Sequence, residues 1–585
     1  MRMRICALLF MACLMMLAAC SRPSADIILT NAEVYTMEAD QPWASAVVIT
    51  GNKIVAVLDE GADIEPYRGP NTRVIDLEGK FVVPGFIDGH VHFNNAGGLI
   101  NDANLMAVAD DGGLKNEMRR VVDILDDGEW ITGGLWGAYE AWALGADKAG
   151  AKSKKRWEPD RWTIDEITAN NPCLLNSYDR ELYLANTAAL KAAGIDGDRL
   201  DGMKLDWRRR PSGLIYRDSP ALEKIRSAVK EKSHERLLNE NRAALKALRE
   251  AGIVEVQDIA RPDQTERFIE LQENGELTCR VWLRPDLSRG AEMKEKGHRV
   301  GHHPKTKKSD RWLRYGALKG YIDGIMGTHG ALFFEPYDDQ PDNYGHYRRH
   351  TSDDPDYQTG NMDKMYDLIK VGYDAGFVSN VHAIGTKGVA LMLDTYERLM
   401  KDLGKDLRGF RVIHAQVIRP QDFPRFKALN VIAEVNPYHI SDDMRWMEER
   451  IGHERCKGAY AFKSLLDNGA ILSFGSDWPG TSAAEYHMHP KYLIHAAVNR
   501  TTLNHTPEGG WFPEQKISVH EALKAYTINN AYAAFEDDIR GSIKKGKLAD
   551  ITVCDRNLLK IDRRDILNME VDMTIVDGQI VFEKE

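Results

Sequence analysis

Cysteine is scarce and scattered. Of seven cysteines, three (Cys6, Cys13 and Cys20) fall within the first twenty residues, which leaves Cys173, Cys279, Cys456 and Cys554 far apart. No CxxC pair and no regular spacing is present, so neither a disulfide framework nor a cysteine-based zinc ribbon is expected. A basic run is also missing, and the formal charge of −11 becomes −13 once Arg2 and Arg4 are removed. That acidic balance argues against nucleic acid as the partner. After the apolar stretch Ile5–Ala19 no second long apolar segment follows, so attachment to a membrane would be through lipid alone.

The opening stretch 1–19, with Arg2 and Arg4 ahead of its apolar run, reads as a signal peptide. Its end, Leu17-Ala18-Ala19-Cys20-Ser21, resembles a bacterial lipobox. The expectation is an exported protein lipidated at Cys20, with 20–25 as linker and an outer-membrane address facing the periplasm. A plain secretory signal with an incidental cysteine is the alternative.

What is present is an ordinary globular composition, 43% hydrophobic and 28% charged, in a chain long enough for a large barrel and an appended domain. Short β-rich runs at Ile27–Val34, Ala46–Ile49, Ile54–Leu58 and Arg73–Asp76 open the mature chain. Similar runs close it, with Asp577-Gly578 as a hairpin turn. Segments 26–84 and 541–585 are therefore expected to pair into one composite β-domain, with a barrel over 85–540 inserted between them.

Inside that frame, eight apolar runs alternate with helical periodicity: Gly85–Phe93, Ile253–Ile259, Cys279–Pro285, Ala317–Asp323, Val378–Ile384, Arg411–Val417, Val431–Pro437 and Ile471–Asp477. The pattern predicts an α/β fold, a (β/α)8 TIM-like barrel. The stretch of about 94–232 exceeds one crossover helix and is expected to hold an insertion over the barrel mouth, with Ile131–Gly137 and Cys173–Tyr178 as its strands.

Polar residues fall on these runs where barrel enzymes carry their chemistry. His90 and His92 are separated by one residue, so on a strand they share a face and can reach one ion. Lys319, His382, His414 and Asp477 lie at or near the C-terminal ends of later runs. Each has a bland alternative, a core histidine or a salt-bridged lysine, but six on the appropriate strands point to a metal site.

Pro84-Gly85-Phe86-Ile87-Asp88-Gly89-His90-Val91-His92 is similar to the opening strand of the amidohydrolase superfamily. Leu318–Gly324, Val381–Gly385, Arg411–Gln416, Gly475–Pro479, Glu521–Leu523 with Tyr526-Thr527, and Gly546–Asp550 resemble later motifs of amidohydrolase family 3, a branch that includes N-substituted formamide deformylases. The resemblance covers nearly the whole mature chain and implies one or two divalent ions, zinc or another metal. Ligands would come from His90, His92, His382, His414 and Asp477, with Lys319 at a position that can be carboxylated. It further implies that Asp477 takes a proton from the attacking metal-activated water and passes it to the leaving amine. A carbamate forms only from an unprotonated amine, so the site must depress the lysine's pKa.

The family pattern is broken at Asp179-Arg180-Glu181, at Thr386 and at Asn436, where other residues are usual. Trp136, Asp179, Glu181, Asp323, His329, Tyr438, His439 and Trp478 are further candidates for a pocket taking a small-molecule substrate. Glu181 has a solvated loop residue as its equal alternative, and His302-His303 and His487-His489 read as surface clusters. Three functions fit: hydrolysis of a non-peptide C–N bond in an amide, formamide or cyclic amide; deamination of an aromatic ring; or a lipid-anchored binding protein without turnover. Nothing in the sequence addresses oligomeric state.

Overall fold

The computed structural model describes residues 24–106, 108–137, 157–177, 181–195, 197, 199–348, 360–404, 406, 408–480 and 488–585. Cys20, Asp179 and His487 lie outside the described residues.

Eight strands form the centre: β1 (Phe86–Val91), β2 (Ile253–Asp258), β3 (Arg280–Leu283), β4 (Ala317–Tyr321), β5 (Val378–Ala383), β6 (Arg411–His414), β7 (Ile432–Val435) and β8 (Leu472–Phe474). Neighbours pair in parallel, with Val256 opposite Asp88, Glu255 opposite Arg280, Lys319 opposite Asn380 and Ala383 opposite His414. Two seams close the ring. Bridges join Val91 to Trp478 and Asp286 to Lys319. At these seams His92 N–H donates to Trp478 O at 2.7 Å, and Lys319 N–H to Pro285 O at 2.8 Å. All eight expected runs are thus strands of one parallel barrel.

The fourth run is longer than its apolar pattern suggested. Leu313–Tyr315 pairs with β3, and after Gly316 the chain continues as β4 against β5. A Cβ on Gly316 would lie 1.9 Å from the Trp282 indole, so only glycine lets the strand turn around that ring.

Helices pack outside, for example His234–Glu250, whose Leu238, Leu245 and Leu248 are buried and whose N-terminus is capped by the Ser233 hydroxyl. Phe81–Pro84 runs antiparallel to Ile551–Cys554 in a six-stranded sheet that joins both ends of the chain. Ile27, Leu29, Val47 and Ile49 from a second sheet share a core with Val82, Ile551, Val553 and Ile575. Asp577 (φ 53°) and Gly578 (φ 77°) form the left-handed pair of a tight hairpin turn. Arg280 on β3 donates to Asp550 at 2.9 Å and to Asp577 at 2.7 Å, an ionic tie between these strands and the barrel.

Ile131–Trp136 and Cys173–Ser177 lie in a separate six-stranded sheet with its own apolar core. None of its described residues lines the cavity of the histidines, so the expectation that this insertion roofs the mouth gains no contact to support it.

Candidate active site

A cavity of about 410 Å³ opens at the C-terminal ends of the strands and is lined by His90, His92, Lys319, His382, His414 and Asp477 together. The ligand atoms of His90, His414 and Asp477 lie within 4.8 Å of one another. Asp477 Oδ1 is 3.2 Å from His90 Nε2 and 3.1 Å from His92 Nε2. The rings of His382 and His414 are 4.5 Å apart between centroids, and those of His90 and His414 are 5.3 Å apart.

The ring orientations follow from hydrogen bonds. His90 Nδ1–H donates to Glu434 Oε1 at 2.7 Å, and a carboxylate can only accept, so the Nε2 lone pair faces the cavity. His414 Nδ1–H donates to Asn436 Oδ1 at 2.7 Å, while Asn436 Nδ2 donates to Gly475 O at 2.9 Å, which fixes which end of the amide is which. Asn436, one of the departures from the family pattern, therefore orients a histidine.

Burial, Lys319 and neighbouring cations hold His90 below its usual pKa and His382 well below it. Burial and the neighbouring histidines do the same to His414. Neutral imidazoles with free Nε2 lone pairs and one carboxylate are a donor set suited to a divalent ion. His382 Nε2 and His439 Nε2 are both buried without a hydrogen-bond partner, as expected of atoms that serve something other than the protein. The residues present therefore fit a metal.

Asp477 is set apart electrostatically. Burial alone would raise its pKa, but His90, His92 and His414 hold it well below the ordinary carboxylate range. For Lys319, burial pushes the ammonium down to about 7, Arg284 and Arg348 acting with it and Glu434 and Asp477 against it. Among the described residues the amine has no hydrogen bond or ion pair, and it lies 4.8 Å from the Tyr321 ring centroid.

Beneath the cavity lies a charged layer that sequence reasoning missed. Glu434 on β7 accepts from Arg284 at 2.9 Å and from Arg411 at 2.8 Å, and both arginines donate to Gln257 as well. Burial opposes the charge on Glu434, but Arg284, His90 and Arg411 hold its pKa well below normal. The signal was available: a single carboxylate and two guanidinium groups within runs otherwise apolar enough for a buried strand. Asp88, of the opening motif, accepts from His90 N–H at 3.1 Å, Ser476 N–H at 2.9 Å and the Tyr526 hydroxyl at 2.8 Å. It fastens β1 to the turn after β8 and gives the Tyr526 of the later motif its task. Gly475 is required because a Cβ there would stand 2.5 Å from His90 Cβ.

Of the remaining pocket candidates among the described residues, His439 alone lines the cavity, 3.8 Å from Asp477 Oδ2. Trp136 is fully enclosed in the core of the insertion sheet, at the end of the strand that carries Gly133 and Gly134. Glu181 is exposed and pairs with Arg217 at 3.1 Å. Asp323 is buried outside the lining and accepts from Leu332, Ile384 and Gly385 N–H, which shapes two loops, and its Oδ1 lies 3.4 Å from His382 Nε2. His329 lies outside the lining, in contact with Asp339 at 2.8 Å and with Arg450. Tyr438 and Trp478 are core residues. Thr386 begins a helix and is buried away from the lining. His303 is not a surface residue: it is buried and accepts from Lys305 and Thr306 N–H in its own turn. The walls come from residues not singled out, Tyr321, Arg348, Gln416, Asp443, Trp446 and Arg450 among them.

A parallel barrel carrying histidines and an aspartate at its C-terminal rim is an arrangement suited to holding a metal ion. Residues 73–582 match the Amidohydrolase family, and the chain belongs to it. It is similar to Protein LONG AFTER FAR-RED 3 of Arabidopsis thaliana, 31% identical over 95% of this chain and 92% of that protein. It is also similar to N-substituted formamide deformylase of Arthrobacter pascens, 24% identical over 96% of this chain and 98% of that protein. Among solved structures, an uncharacterized metal-dependent hydrolase of Pyrococcus horikoshii superposes with a TM-score of 0.69 at 23% identity, over 92% of this chain and 99% of that one.

Proposed function

We propose that this chain hydrolyses a non-peptide C–N bond, in an amide, formamide or cyclic amide. The observation that carries this reading is the contact of Asp477 Oδ1 with His90 Nε2 and His92 Nε2, at 3.2 and 3.1 Å, in a cavity also lined by His382, His414 and Lys319. A divalent ion bound by these residues would supply a water of lowered pKa and polarise the substrate carbonyl.

Asp477 is the proton carrier. Its carboxylate faces the cavity and lies beside the imidazoles, so it can take a proton from water and return it to the departing nitrogen. Glu434 and Asn436 keep His90 and His414 in the tautomers that leave Nε2 unprotonated. The likeness to a formamide deformylase supports the same bond type.

The test is a panel of N-formyl, N-acyl and cyclic amides, together with amino-substituted aromatic rings, incubated with metal-loaded protein. Carboxylate and amine should appear in equal amounts from at least one amide. Ammonia released from a ring would establish ring deamination instead, and a metal-replete protein without turnover on any of them would overturn the hydrolase reading.

A further inference from the structure

We propose that Arg348 and Arg450 form an anion-binding end of the active-site cavity, so that the preferred substrate carries a carboxylate remote from its scissile C–N bond. The proposal rests on the hydrolase reading for the word substrate. The anion site itself rests on geometry and charge alone.

The room exists. A second cavity of about 470 Å³ adjoins the histidine cavity and shares His92, Lys319, Tyr321 and Arg348 with it. An extended molecule held at the histidines can therefore continue past Arg348.

Most charges around this space are already matched. Arg261 pairs with Asp263 at 3.2 Å and Arg289 with Glu292 at 2.7 Å. Asp443 accepts from the Tyr460 hydroxyl at 2.5 Å and from Gln416 at 2.9 Å, and Asp477 faces the histidines. Besides Lys319, two guanidinium groups are the exceptions among the described residues. Arg348 lies over the Tyr321 ring, 5.1 Å from its centroid, and among the described residues no carboxylate pairs with it. Arg450 lies 4.9 Å over Trp446 and contacts the His329 ring nitrogens, again without a carboxylate among the described residues, and its Nε is buried with no acceptor.

A half-buried arginine is ordinarily paired, because a desolvated charge or an orphaned N–H is costly. A ring face attracts the cation but leaves its N–H fork unfilled. The Arg348 fork, which meets no carboxylate among the described residues, and the Arg450 N–H groups that His329 does not occupy lower the free energy of a planar oxyanion that enters the cavity, and a carboxylate matches a guanidinium best. Tyr321 under Arg348 and Trp446 under Arg450 add apolar wall to the same cavity. In the reaction, water adds to the acyl carbon, the C–N bond breaks and the nitrogen leaves with a proton, while the remote carboxylate is unchanged.

A competing task for Arg348 is to pair with a carboxylated Lys319, since both groups lie on the Tyr321 ring. That task would make Arg348 necessary for metal retention.

The experiment is calorimetric titration of the metal-loaded protein with glutarate and with its monomethyl ester, for the parent, Arg348→Met and Arg450→Met, with metal content measured on each. Both probes keep one carboxylate for the metal, so their difference reads the second charge. The parent should bind glutarate about 10- to 100-fold more tightly than the ester, the scale of a charged hydrogen bond, and each variant should lose most of that preference with its metal intact. Equal binding of the two probes by the parent, unchanged preference in both variants, or loss of metal in Arg348→Met would overturn the proposal. For any N-acyl amino acid that is turned over, kcat/KM should fall in the variants while that of its methyl ester stays within a few-fold. Should no amide be hydrolysed, the hydrolase reading fails, and the glutarate titration still decides the anion site.

Discussion

Glu434 on β7 accepts the Nδ1–H of His90 on β1 at 2.7 Å, and the same carboxylate is gripped by Arg284 and Arg411. One buried group thus sets a ligand's tautomer and balances two buried cations. Glu434→Gln keeps an acceptor for His90 but leaves both arginines without a counter-charge. Metal affinity should fall about 10- to 100-fold, the usual cost of losing such a partner, measured by competition with a chromogenic chelator. Unfolding should also come several degrees earlier, since a buried charge has lost its partner.

Asp477 sits at φ 61°, in the left-handed region that asparagine tolerates better than most residues. Asp477→Asn should therefore fold normally and lose only the basic oxygen. With any substrate the parent hydrolyses, kcat should drop at least ~100-fold while metal content falls modestly. His90→Ala should lose the metal itself. A kcat for Asp477→Asn within a few-fold of the parent would remove Asp477 from the proton-carrying role.

Lys319 is buried, its ammonium pushed down to about 7, so a substantial share of the amine is neutral at physiological pH and open to carboxylation. Lys319→Ala should lose metal and activity together, and millimolar acetate or propionate should restore part of both by returning carboxylate oxygens to the space vacated. Full metal content and rate in the variant would show that this lysine is no ligand.

Away from the cavity, Glu255 on β2 accepts from Arg314 at 2.6 Å and pairs with Arg540. Burial would raise its pKa, but the two arginines hold it at about 2, below the ordinary value of 4.5. A depressed folded-state pKa stabilises the fold above about pH 4.5, and this contribution disappears as pH falls towards 2. Glu255→Gln should cost on the order of 3 kcal/mol at pH 7, with the gap to the parent closing between pH 4.5 and 2 in denaturant titrations. A gap of constant size across that range would mean the loss is steric.

The strand pattern was legible because it is local. Each of the eight runs carries its own apolar signal, and on β1 the period of two is enough to put His90 and His92 on one face. The orienting layer was legible only in part. Glu434, Arg284 and Arg411 stand out as charges within apolar runs, yet nothing in the chain says which of them meet. Trp136 misled because a tryptophan beside glycines reads the same in a pocket as in the core of an insertion sheet.

By itself the sequence determined the order and number of barrel strands, and which residues with metal-ligating chemistry stand at their ends. These follow from periodicity and residue type, properties a segment keeps wherever it packs. Only the tertiary structure decided which loops reach the cavity, bringing Arg348 and Arg450 to it and leaving Trp136, Glu181 and His329 outside its lining. It also decided the left-handed backbone at His414 and Asp477, and the meeting of Asp88 with Ser476 across 388 residues. The physical reason is that these arrangements are held by contacts between distant segments, whose geometry arises when the barrel closes and is written in no single stretch of chain.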